Sequence, residues 1–320
     1  MKCVAFTAHK TAGVIDIPDY SNPLKPDELR GRTLVTLVSP GTELNSGFLG
    51  DAFPIHPGYA SVFQIEEAGG EVRDLAVGDV VFGSGKHSAR QQASRGDVIK
   101  LPADLPPEVA VFARLAGVSM SSLNATVVRP PATVLITGLG PVGILAGQIF
   151  AGAGYDVIAV DPASSRQQTA SEVGLRDVRG VLDVEELRDR FHLHVECSGH
   201  EQAVLEGCRC VRKGGEIFLV GVPWRRKTEI SSFELLREIF HRYVSVRSGW
   251  EWQVPVQPRD FAMNCIMDNL SAAQAWLAGG RLKVDGLADL YTPEQAQVVY
   301  SGLLDQSLPT PTAVFDWRGA

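Results

Sequence analysis

Three glycines between a strand-like run and a helix-like run have the most informative spacing in this sequence. The apolar run Thr133–Thr137 is followed by Gly138-Leu139-Gly140-Pro141-Val142-Gly143, and a helical pattern begins at once. Gly138 permits a tight turn, Gly140 lets the backbone approach a pyrophosphate, and Gly143 lets the helix pack closely on the sheet. Unpaired N–H groups at the helix N-terminus suit phosphates. Because strand, glycines and helix occur together, the segment predicts a dinucleotide site rather than a plain strand–helix turn.

An acidic residue ends the next predicted strand. The run Asp156–Val160 is followed by Asp161, which lies 18 residues after Gly143. A carboxylate there accepts hydrogen bonds from both ribose hydroxyls and repels a 2′-phosphate, so it favours NAD over NADP. Arg166 keeps the alternative open, because it would pair with a 2′-phosphate if Asp161 turned away.

Two later strand ends are expected to reach the same crevice, where open α/β sheets bind ligands. One strand closes with Glu196-Cys197-Ser198-Gly199-His200, and the next closes with Val220-Gly221-Val222-Pro223. Their backbones would flank the nicotinamide ring and its ribose. We interpret Cys197 as a small buried residue rather than as a nucleophile.

The elements that must position these residues follow two patterns. The first 105 or so residues contain short alternating or apolar runs separated by Gly and Pro, which predicts a β-rich or barrel-like unit. A helical pattern covers Pro107–Val127, and from Thr133 the pattern alternates between strand and helix, which predicts a parallel sheet. The remaining predicted elements are helices at Met263–Leu277 and Pro293–Leu304 and a strand at Thr312–Asp316.

The overall composition excludes several classes of protein. The 320 residues are 45% hydrophobic and 21% charged, unlike a disordered chain, a collagen-like repeat or a small disulfide scaffold. A net charge of −7 disfavours nucleic acid as a partner, and no apolar run approaches the roughly 20 residues of a membrane span. The start of the chain lacks a signal-peptide pattern, and its five cysteines are scattered. We therefore expect a cytoplasmic protein with two domains and a small-molecule substrate.

The order of these parts resembles the medium-chain dehydrogenase/reductase superfamily. The supporting motifs are VSPGTEL (Val38–Leu44), HPGYASV (His56–Val62), AVGDVVFG (Ala76–Gly83), the glycine segment above and the C-terminal TAVFDW. The resemblance implies an α/β fold with a GroES-like β-rich catalytic domain over residues 1–125, completed by residues 256–320. It also implies a Rossmann NAD-binding domain with a doubly wound parallel sheet over residues 126–255, and a homodimer formed through the strand near Ser245–Trp250. The motifs look most like those of the branch near bacteriochlorophyllide dehydrogenases and some sugar dehydrogenases.

This sequence departs from the zinc-dependent relatives at each position that holds the metal. Pro40 stands at the position of a Cys ligand, Tyr59 stands at the position of a His ligand, and Arg114–Gly117 contains no thiol. The segment Gly83–Leu101 also lacks the four cysteines of the structural zinc lobe. A catalytic zinc needs three protein ligands and a structural zinc needs four. The sequence therefore predicts a protein that works without zinc.

Other groups must then stabilise the oxyanion that forms during hydride transfer. The resemblance places Thr42 at the proton-relay hydroxyl and Glu43 at a carboxylate that orients a neighbouring group. Tyr59 would point a phenol into the vacated space, and His56 lies nearby and titrates near neutral pH. Each residue also has a structural alternative: Thr42 and Glu43 as turn residues, Tyr59 as core filling, and His56 as an ordinary loop residue. His87 has the same ambiguity as His56.

Three functions are compatible with these residues. The favoured one is a zinc-independent, NAD-dependent oxidoreductase that acts on the alcohol or ketone of a sugar, cyclitol or secondary metabolite. A second is an NAD(P)H-dependent quinone or enone reductase, which Asp161 disfavours. A third is a non-catalytic, nucleotide-binding redox sensor, which the loss of the zinc ligands keeps open.

Overall fold

The chain folds into two compact units. In this computed structural model, which describes residues 1–319, one unit contains Met1–Arg114, Gln274–Gly279 and the residues from Val284 onward. We call it the strand-rich unit. The other, the parallel-sheet unit, contains Leu115–Ala273 and Gly280–Lys283. The domain limits predicted from the sequence, at residues 125 and 255, stay predictions.

Strands and helices alternate along the second half of the chain, whereas strands dominate the first. The strands within residues 1–319 are β1 (Lys2–Ala8), β2 (Thr11–Asp16), β3 (Glu28–Leu37), β4 (Ser61–Ala68), β5 (Val80–Gly83), β6 (Arg90–Ser94), β7 (Val98–Lys100), β8 (Thr133–Thr137), β9 (Asp156–Val160), β10 (Asp177–Arg179), β11 (Phe191–Glu196), β12 (Val211–Leu219), β13 (Ser245–Ser248), β14 (Ala288–Tyr291) and β15 (Thr312–Asp316). The α-helices are α1 (Pro40–Glu43), α2 (Pro107–Ala110), α3 (Ala113–Ala125), α4 (Pro141–Gly152), α5 (Ser164–Glu172), α6 (Glu201–Cys210), α7 (Ser232–Arg242), α8 (Ile266–Ala278) and α9 (Ala296–Asp305). A π-helical turn over Leu44–Phe48 extends α1, and 3-10 turns cover Arg95–Asp97, Glu251–Gln253 and Pro293–Gln295.

The strand-rich unit is built around β3. A separate antiparallel hairpin joins β1 and β2. The larger sheet has the order β14-β15-β3-β4-β5-β7, and β6 also pairs with β3. The β14–β15 pair is parallel, and the other pairs of this sheet are antiparallel. Because β3 pairs with three strands, the loop that leaves its end is held on a rigid base.

An aromatic cluster fixes the position of α1 in this unit. The ring centroids of Phe6 and Tyr300 lie 4.7 Å apart, and those of Phe48 and Tyr300 lie 5.6 Å apart. All three side chains are fully buried, so each contributes apolar burial of the kind that dominates core stability. The cluster therefore ties the helical segment that begins at Pro40 to helix α9.

The parallel-sheet unit has six parallel strands in the order β10-β9-β8-β11-β12-β13. Its central strands are continuous buried apolar runs, as expected for a sheet covered by helices on both faces. Thr137, at the end of β8, lies opposite Val160 of β9 and Glu196 of β11. The carboxyl ends of these three strands therefore reach the same edge of the sheet.

The predicted fold class, a β-rich unit followed by a doubly wound parallel sheet, is confirmed. The main difference lies in the predicted helix over Pro107–Val127, which is interrupted at Val111 and Phe112 between α2 and α3. Strands such as β10, with the sequence Asp177–Arg179, were not predicted. Two of its three residues are charged, so pairing with β9 rather than hydrophobic patterning defines it.

Within residues 1–319, no helix combines the length and the apolar character that crossing a bilayer requires.

Candidate functional site

The glycine loop after β8 is shaped by close backbone contacts. Gly138 has φ +83°, which favours glycine, and a Cβ atom there would lie 2.7 Å from the backbone nitrogen of Ser198. A Cβ on Gly143 would lie 1.8 Å from the carbonyl oxygen of Gly138, so α4 packs directly against the loop. Gly140 caps α4 in an extended conformation, and a Cβ there would meet nothing within 4 Å. The open space at Gly140 is where a ligand can approach the helix N-terminus.

A cavity of about 500 Å³ opens beside this loop, within the parallel-sheet unit. It lies at the carboxyl ends of β8, β9 and β11. Its lining residues are Thr137, Gly138, Gly140, Val160, Asp161, Pro162, Arg166, Gly180, Val181, Leu182, Cys197, Ser198, His200, Gln202, Ala203, Glu206 and Lys227. The size and the mixed apolar and polar lining are typical of a cofactor site.

Asp161 joins the end of β9 to the glycine loop. Its Oδ2 accepts the N–H of Leu139 at 2.7 Å, and its Oδ1 accepts the N–H of Ala163 at 2.9 Å. The guanidinium of Arg166 lies 3.4 Å from Oδ2, and both side chains line the cavity. Oδ2 accepts from both Leu139 and Arg166, whereas Oδ1 keeps a second lone pair, so Asp161 can still accept a hydrogen bond from a ligand.

Glu196 and Cys197 form another wall of the cavity. The carboxylate of Glu196 accepts the N–H of Ser198 at 2.6 Å and that of Gly199 at 3.0 Å, which fixes the turn after β11. Burial raises the pKa of Glu196, and burial raises the pKa of Cys197 well above its usual range. Cys197 is therefore a neutral thiol near pH 7 and lacks the thiolate character of a nucleophile.

Lys227 places a positive charge at the cavity. Its Nζ donates a hydrogen bond to the carbonyl oxygen of Ser198 at 3.1 Å, and its backbone N–H donates to Glu201 at 2.9 Å. These contacts hold the loop after β12 against the turn after β11.

Several residues that the sequence predicts as cofactor contacts are not among the lining residues of the cavity. Pro141, Val142 and Gly143 form the first turn of α4, and Gly143 supports the loop. Val220, Gly221, Val222 and Gly199 form a tight backbone contact, because a Cβ on Gly221 would lie 2.2 Å from the nitrogen of Gly199. None of these seven residues is among those that line the cavity within residues 1–319.

The sequence analysis missed other lining residues. Gly180, Val181 and Leu182 follow β10, a strand without a hydrophobic pattern. Gln202, Ala203 and Glu206 lie on the first turns of α6, directly after the strand end at Cys197. The i, i+3 or i+4 spacing of these helix residues after a predicted strand end is a signal that could have identified them.

Glu43 lies at the centre of a buried polar network in the strand-rich unit. Its Oε1 accepts the N–H of Ser39 at 2.8 Å, and its Oε2 accepts the hydroxyl of Tyr300 at 2.5 Å. The Nε2 of His87 lies 3.0 Å from the same Oε2, and its Nδ1 lies 2.7 Å from Oγ1 of Thr36. His87 is fully buried, and burial together with Glu43 raises the pKa of Tyr300 well above its usual range.

These bonds give Glu43 a role in shaping the loop. Trp317 donates to Oγ1 of Thr36 at 3.0 Å, which leaves the Thr36 hydroxyl proton for Nδ1 of His87. His87 can then donate from Nε2 to the carboxylate of Glu43, so both ring nitrogens of His87 have a hydrogen-bond partner. Buried polar groups that are satisfied in this way hold a unique geometry. Glu43 therefore fixes the turn that begins at Ser39.

Tyr59 lies beside this turn. Its hydroxyl donates to Oγ of Ser39, and it also forms a hydrogen bond with the side chain of Thr42. The guanidinium carbon of Arg114 lies 4.9 Å from the centre of the Tyr59 ring, in cation–π geometry. Burial raises the pKa of Tyr59, whereas the two hydroxyl groups and Arg114 act to lower it. The structure thus brings Tyr59, Thr42 and Glu43 together around Ser39.

His56 does not join this cluster. It is half-buried, and its ring forms no hydrogen bond with any residue between 1 and 319. His87, which the sequence left ambiguous, is the imidazole that contacts Glu43 instead.

The groups around Tyr59 do not fit a zinc ion. Pro40 offers no ligand atom, the neighbouring Ala60 is buried and apolar, and Arg114 brings a positive charge. Glu43 and His87 are a carboxylate and an imidazole, but each is already engaged in the buried network. Among the described residues, no three His, Cys, Asp or Glu side chains are grouped to hold a metal.

Comparison with known proteins gives the same architecture. The family described as zinc-binding dehydrogenase matches residues 141–254, which contain α4 and the strands from β9 to β13. The L-threonine 3-dehydrogenase of Paraburkholderia phytofirmans is 29% identical over 213 residues, which is 53% of this chain and 61% of that protein. The chain thus spans about three fifths of the length of that curated relative.

Two solved structures align over almost the whole chain. Galactitol-1-phosphate dehydrogenase from Escherichia coli has a TM-score of 0.82 at 18% identity, with 99% of this chain and 100% of that chain covered. The chain is similar to zinc-type dehydrogenases of the medium-chain dehydrogenase/reductase superfamily, in sequence over residues 141–254 and in fold over almost its whole length. Acetophenone reductase from Geotrichum candidum, solved with NAD, has a TM-score of 0.80 at 13% identity and covers 100% of this chain and 98% of its own. At these identities the two solved structures show the fold alone.

The similarity to the medium-chain dehydrogenase/reductase superfamily agrees with the two-unit division. The matched region, residues 141–254, lies wholly in the parallel-sheet unit that holds the cavity. The zinc-type group of the superfamily is the one that the comparisons support. The residues around Tyr59 are therefore a departure within that group.

Proposed function

We propose that this protein is an NAD(H)-dependent oxidoreductase that interconverts an alcohol and a ketone without zinc. The observation that carries the proposal is the cavity beside the glycine loop, with a carboxylate at the end of β9. A glycine loop, a helix N-terminus and an acidic strand end suit a pyrophosphate and a ribose diol together.

The residues of the cavity fit a nicotinamide dinucleotide. The open space at Gly140 suits the pyrophosphate, and Asp161 can accept a hydrogen bond from the ribose hydroxyls. Asp161 would also repel a 2′-phosphate, which favours NAD over NADP, although Arg166 beside it is the cation that NADP would require. When bound, the nicotinamide ring supplies the hydride donor or acceptor.

Tyr59 is the proton carrier in this proposal. Reduction of a ketone places negative charge on its oxygen, and a nearby phenol can donate the compensating proton. Burial raises the pKa of Tyr59, so the phenol holds its proton at neutral pH. Thr42 forms a hydrogen bond with the phenol and can contact the substrate oxygen, whereas Glu43 acts indirectly by fixing the turn at Ser39.

Zinc independence follows from the donor chemistry. A zinc site needs three ligands from Cys, His or carboxylate side chains, and the positions that would supply them hold Pro40, Tyr59 and the segment Arg114–Gly117, which has no thiol. The substrate class is taken from the relatives: threonine and galactitol-1-phosphate in two of their names both carry a secondary hydroxyl group beside other polar groups. A modest polyfunctional alcohol or ketone is therefore the class to test first.

Reduction of a quinone or an enone remains the second candidate. It would use the same cavity, and Arg166 is the residue that would favour its NADPH form. A non-catalytic nucleotide sensor would show nucleotide binding with no turnover of any substrate class.

Turnover by matched variants tests the proposal. Purified protein is assayed with NAD(H) and NADP(H) against polyols, ketones, quinones and enones, and its metal content is measured. We expect ketone reduction with NADH, less than stoichiometric zinc, and a loss of about 100-fold or more in kcat for Tyr59→Phe. Thr42→Val should also lower kcat, and His56→Gln serves as the matched control. Full activity of both Tyr59→Phe and Thr42→Val would contradict the catalytic assignment.

We also propose a homodimer formed through β13 and α7. Strand β13 is an unpaired sheet edge, and such edges are usually covered. Helix α7 and the residue that follows it expose four large apolar side chains at 61–79% of their surface: Phe233, Leu236 and Phe240 on the helix, and Tyr243 at its C-cap. A second copy of the chain, related by a two-fold axis, would pair the strand and cover the stripe.

A further inference from the structure

Two groups lie beside Tyr59 that the sequence did not predict as functional: the hydroxyl of Ser39 and the guanidinium of Arg114. Ser39 precedes α1 at its N-cap position, where a serine ordinarily accepts a hydrogen bond from the helix backbone. Here its side chain makes no capping bond. The hydroxyl is used instead to accept the phenol proton of Tyr59.

The backbone of Ser39 is held independently of its side chain. Oε1 of Glu43 accepts the N–H of Ser39 at 2.8 Å, and Glu43 is itself held by Tyr300 and His87. Ser39 is 8% exposed, so its hydroxyl has little freedom to move. The position of the Tyr59 phenol oxygen is therefore set by a rigid neighbour.

Arg114 places a positive charge over the ring of Tyr59. Its side chain is 7% exposed, and its guanidinium carbon lies 4.9 Å from the centre of the Tyr59 ring. A cation over a phenol ring is attracted more strongly when the phenol has lost its proton, because the ring then carries negative charge. The opposing charge is the carboxylate of Glu43, which disfavours the phenolate. His87 lies on the far side of Glu43 and donates to it, so Glu43 and Arg114 are the charged groups that face Tyr59.

We propose that Ser39 and Arg114 are positioning residues for a metal-free proton-transfer site centred on Tyr59. The inference rests on the proposed function. As the carbonyl carbon gains a hydride from the reduced nicotinamide cofactor, the hydroxyl of Tyr59 rotates from Oγ of Ser39 to the carbonyl oxygen. Its O–H bond then breaks and a new O–H bond forms on the carbonyl oxygen. The electron pair of the broken bond stays on the phenol oxygen, which becomes a phenolate. The hydroxyl protons of Ser39 and Thr42 and the charge of Arg114 then stabilise that phenolate until solvent returns the proton.

The test measures the phenol directly as well as turnover. Each tyrosine is followed by NMR of ring-labelled protein during a pH titration, with Tyr59→Phe to assign the signal. We expect Arg114→Met to raise the pKa of Tyr59 and Arg114→Lys to restore it largely. Arg30→Met is the matched control, because Arg30 is equally buried and lies 5.6 Å from the ring of Tyr20 in the same geometry. Arg30→Met should shift Tyr20 and leave Tyr59 unchanged.

Kinetics test the role of Ser39. We expect Ser39→Ala to lower kcat for ketone reduction about tenfold with little change in KM, and Ser39→Thr to recover most of the loss. Ser46→Ala is the control from the same helical segment, because Ser46 is exposed and bonds to the backbone oxygen of Thr42. Thermal unfolding of each variant identifies any that fail to fold.

The outcomes separate this inference from the proposed function. An unchanged Tyr59 titration in folded Arg114→Met, or an unchanged kcat in Ser39→Ala, would overturn the inference even if the protein is an active oxidoreductase. If no substrate is turned over but the Tyr59 titration responds to both Arg114→Met and Ser39→Ala, the proposed function fails and the positioning of Tyr59 is supported.

Discussion

The predicted cofactor preference and the proposed proton donor each depend on a single side chain. Asp161 is the clearest case, since its carboxylate both ties the glycine loop to β9 and faces the cavity. The sequence predicted its place because the residue after a buried strand falls at the carboxyl edge of a parallel sheet. The contact between Asp161 and Leu139 could not be predicted, because it depends on how the loop folds back over β9.

At this scale we predict a change in cofactor preference. Asp161→Ser removes the charge that would repel a 2′-phosphate and releases Arg166, which lies 3.4 Å away, to meet that phosphate. We expect the ratio of NADH to NADPH affinity to fall by about tenfold or more, measured by fluorescence titration of each nucleotide. Arg166→Gln is the control and should weaken NADPH binding further while leaving NADH nearly unchanged. Equal affinities for both cofactors in the unchanged protein would contradict our interpretation of Asp161.

At the scale of elements, the packing of β11 against its neighbours buries a titratable side chain. His194 on this strand is fully buried, with Nε2 2.7 Å from the hydroxyl oxygen of Thr137 on β8. On its other side, a Cβ on Gly207 of α6 would lie 2.0 Å from Nδ1, so the helix can pack there only because residue 207 is glycine. Burial lowers the pKa of His194 to about 3. The neutral imidazole of His194 on β11 therefore contacts both β8 and α6.

This arrangement predicts acid sensitivity of the parallel-sheet unit. The folded pKa of His194 lies below its unfolded value near 6.5, so the stability it contributes is present above pH 6.5 and is lost as the pH falls toward about 3. We expect this one group to lower the free energy of unfolding by up to about 1.4 kcal/mol per pH unit over that window.

Denaturant unfolding between pH 7 and pH 4 checks this expectation. His194→Gln can keep the bond to Thr137 but cannot titrate, so its stability should depend less steeply on pH. His192→Gln, at the start of the same strand, is the matched control because His192 is only half-buried. Equal pH slopes for His194→Gln and the unchanged protein would rule out His194 as the acid-sensitive group.

On the scale of the whole molecule, the proposed cofactor site and the proposed proton donor belong to different units. The parallel-sheet unit holds the cavity that suits a dinucleotide, and the strand-rich unit holds Tyr59 with its supporting network. The exposed stripe on α7 lies on the surface of the parallel-sheet unit. On the opposite face of the same helix, Leu235 and Ile239 pack against the core of that unit. A helix with apolar groups on both sides is expected to have a partner on each.

We predict that disrupting this stripe separates two copies of the chain. Phe240→Glu places a charge at the centre of the stripe and should convert a dimer into a monomer in sedimentation or light-scattering measurements. Val298→Glu, an exposed substitution on α9 in the strand-rich unit, should leave the mass unchanged. A monomeric mass for the unchanged protein would contradict the proposed dimer.

The sequence by itself was sufficient for features that depend on neighbours along the chain. The glycine loop, the strand ends and the two-part architecture could be predicted, because hydrophobic periodicity and glycine spacing act over short stretches of backbone. The tertiary structure alone decided which side chains surround Tyr59. Ser39, Tyr59 and Arg114 are far apart in the sequence. The pairing of β3 with β4 brings Ser39 and Tyr59 together, and Arg114 lies over the Tyr59 ring. Contacts of this kind depend on chain topology, which local residue patterns do not encode.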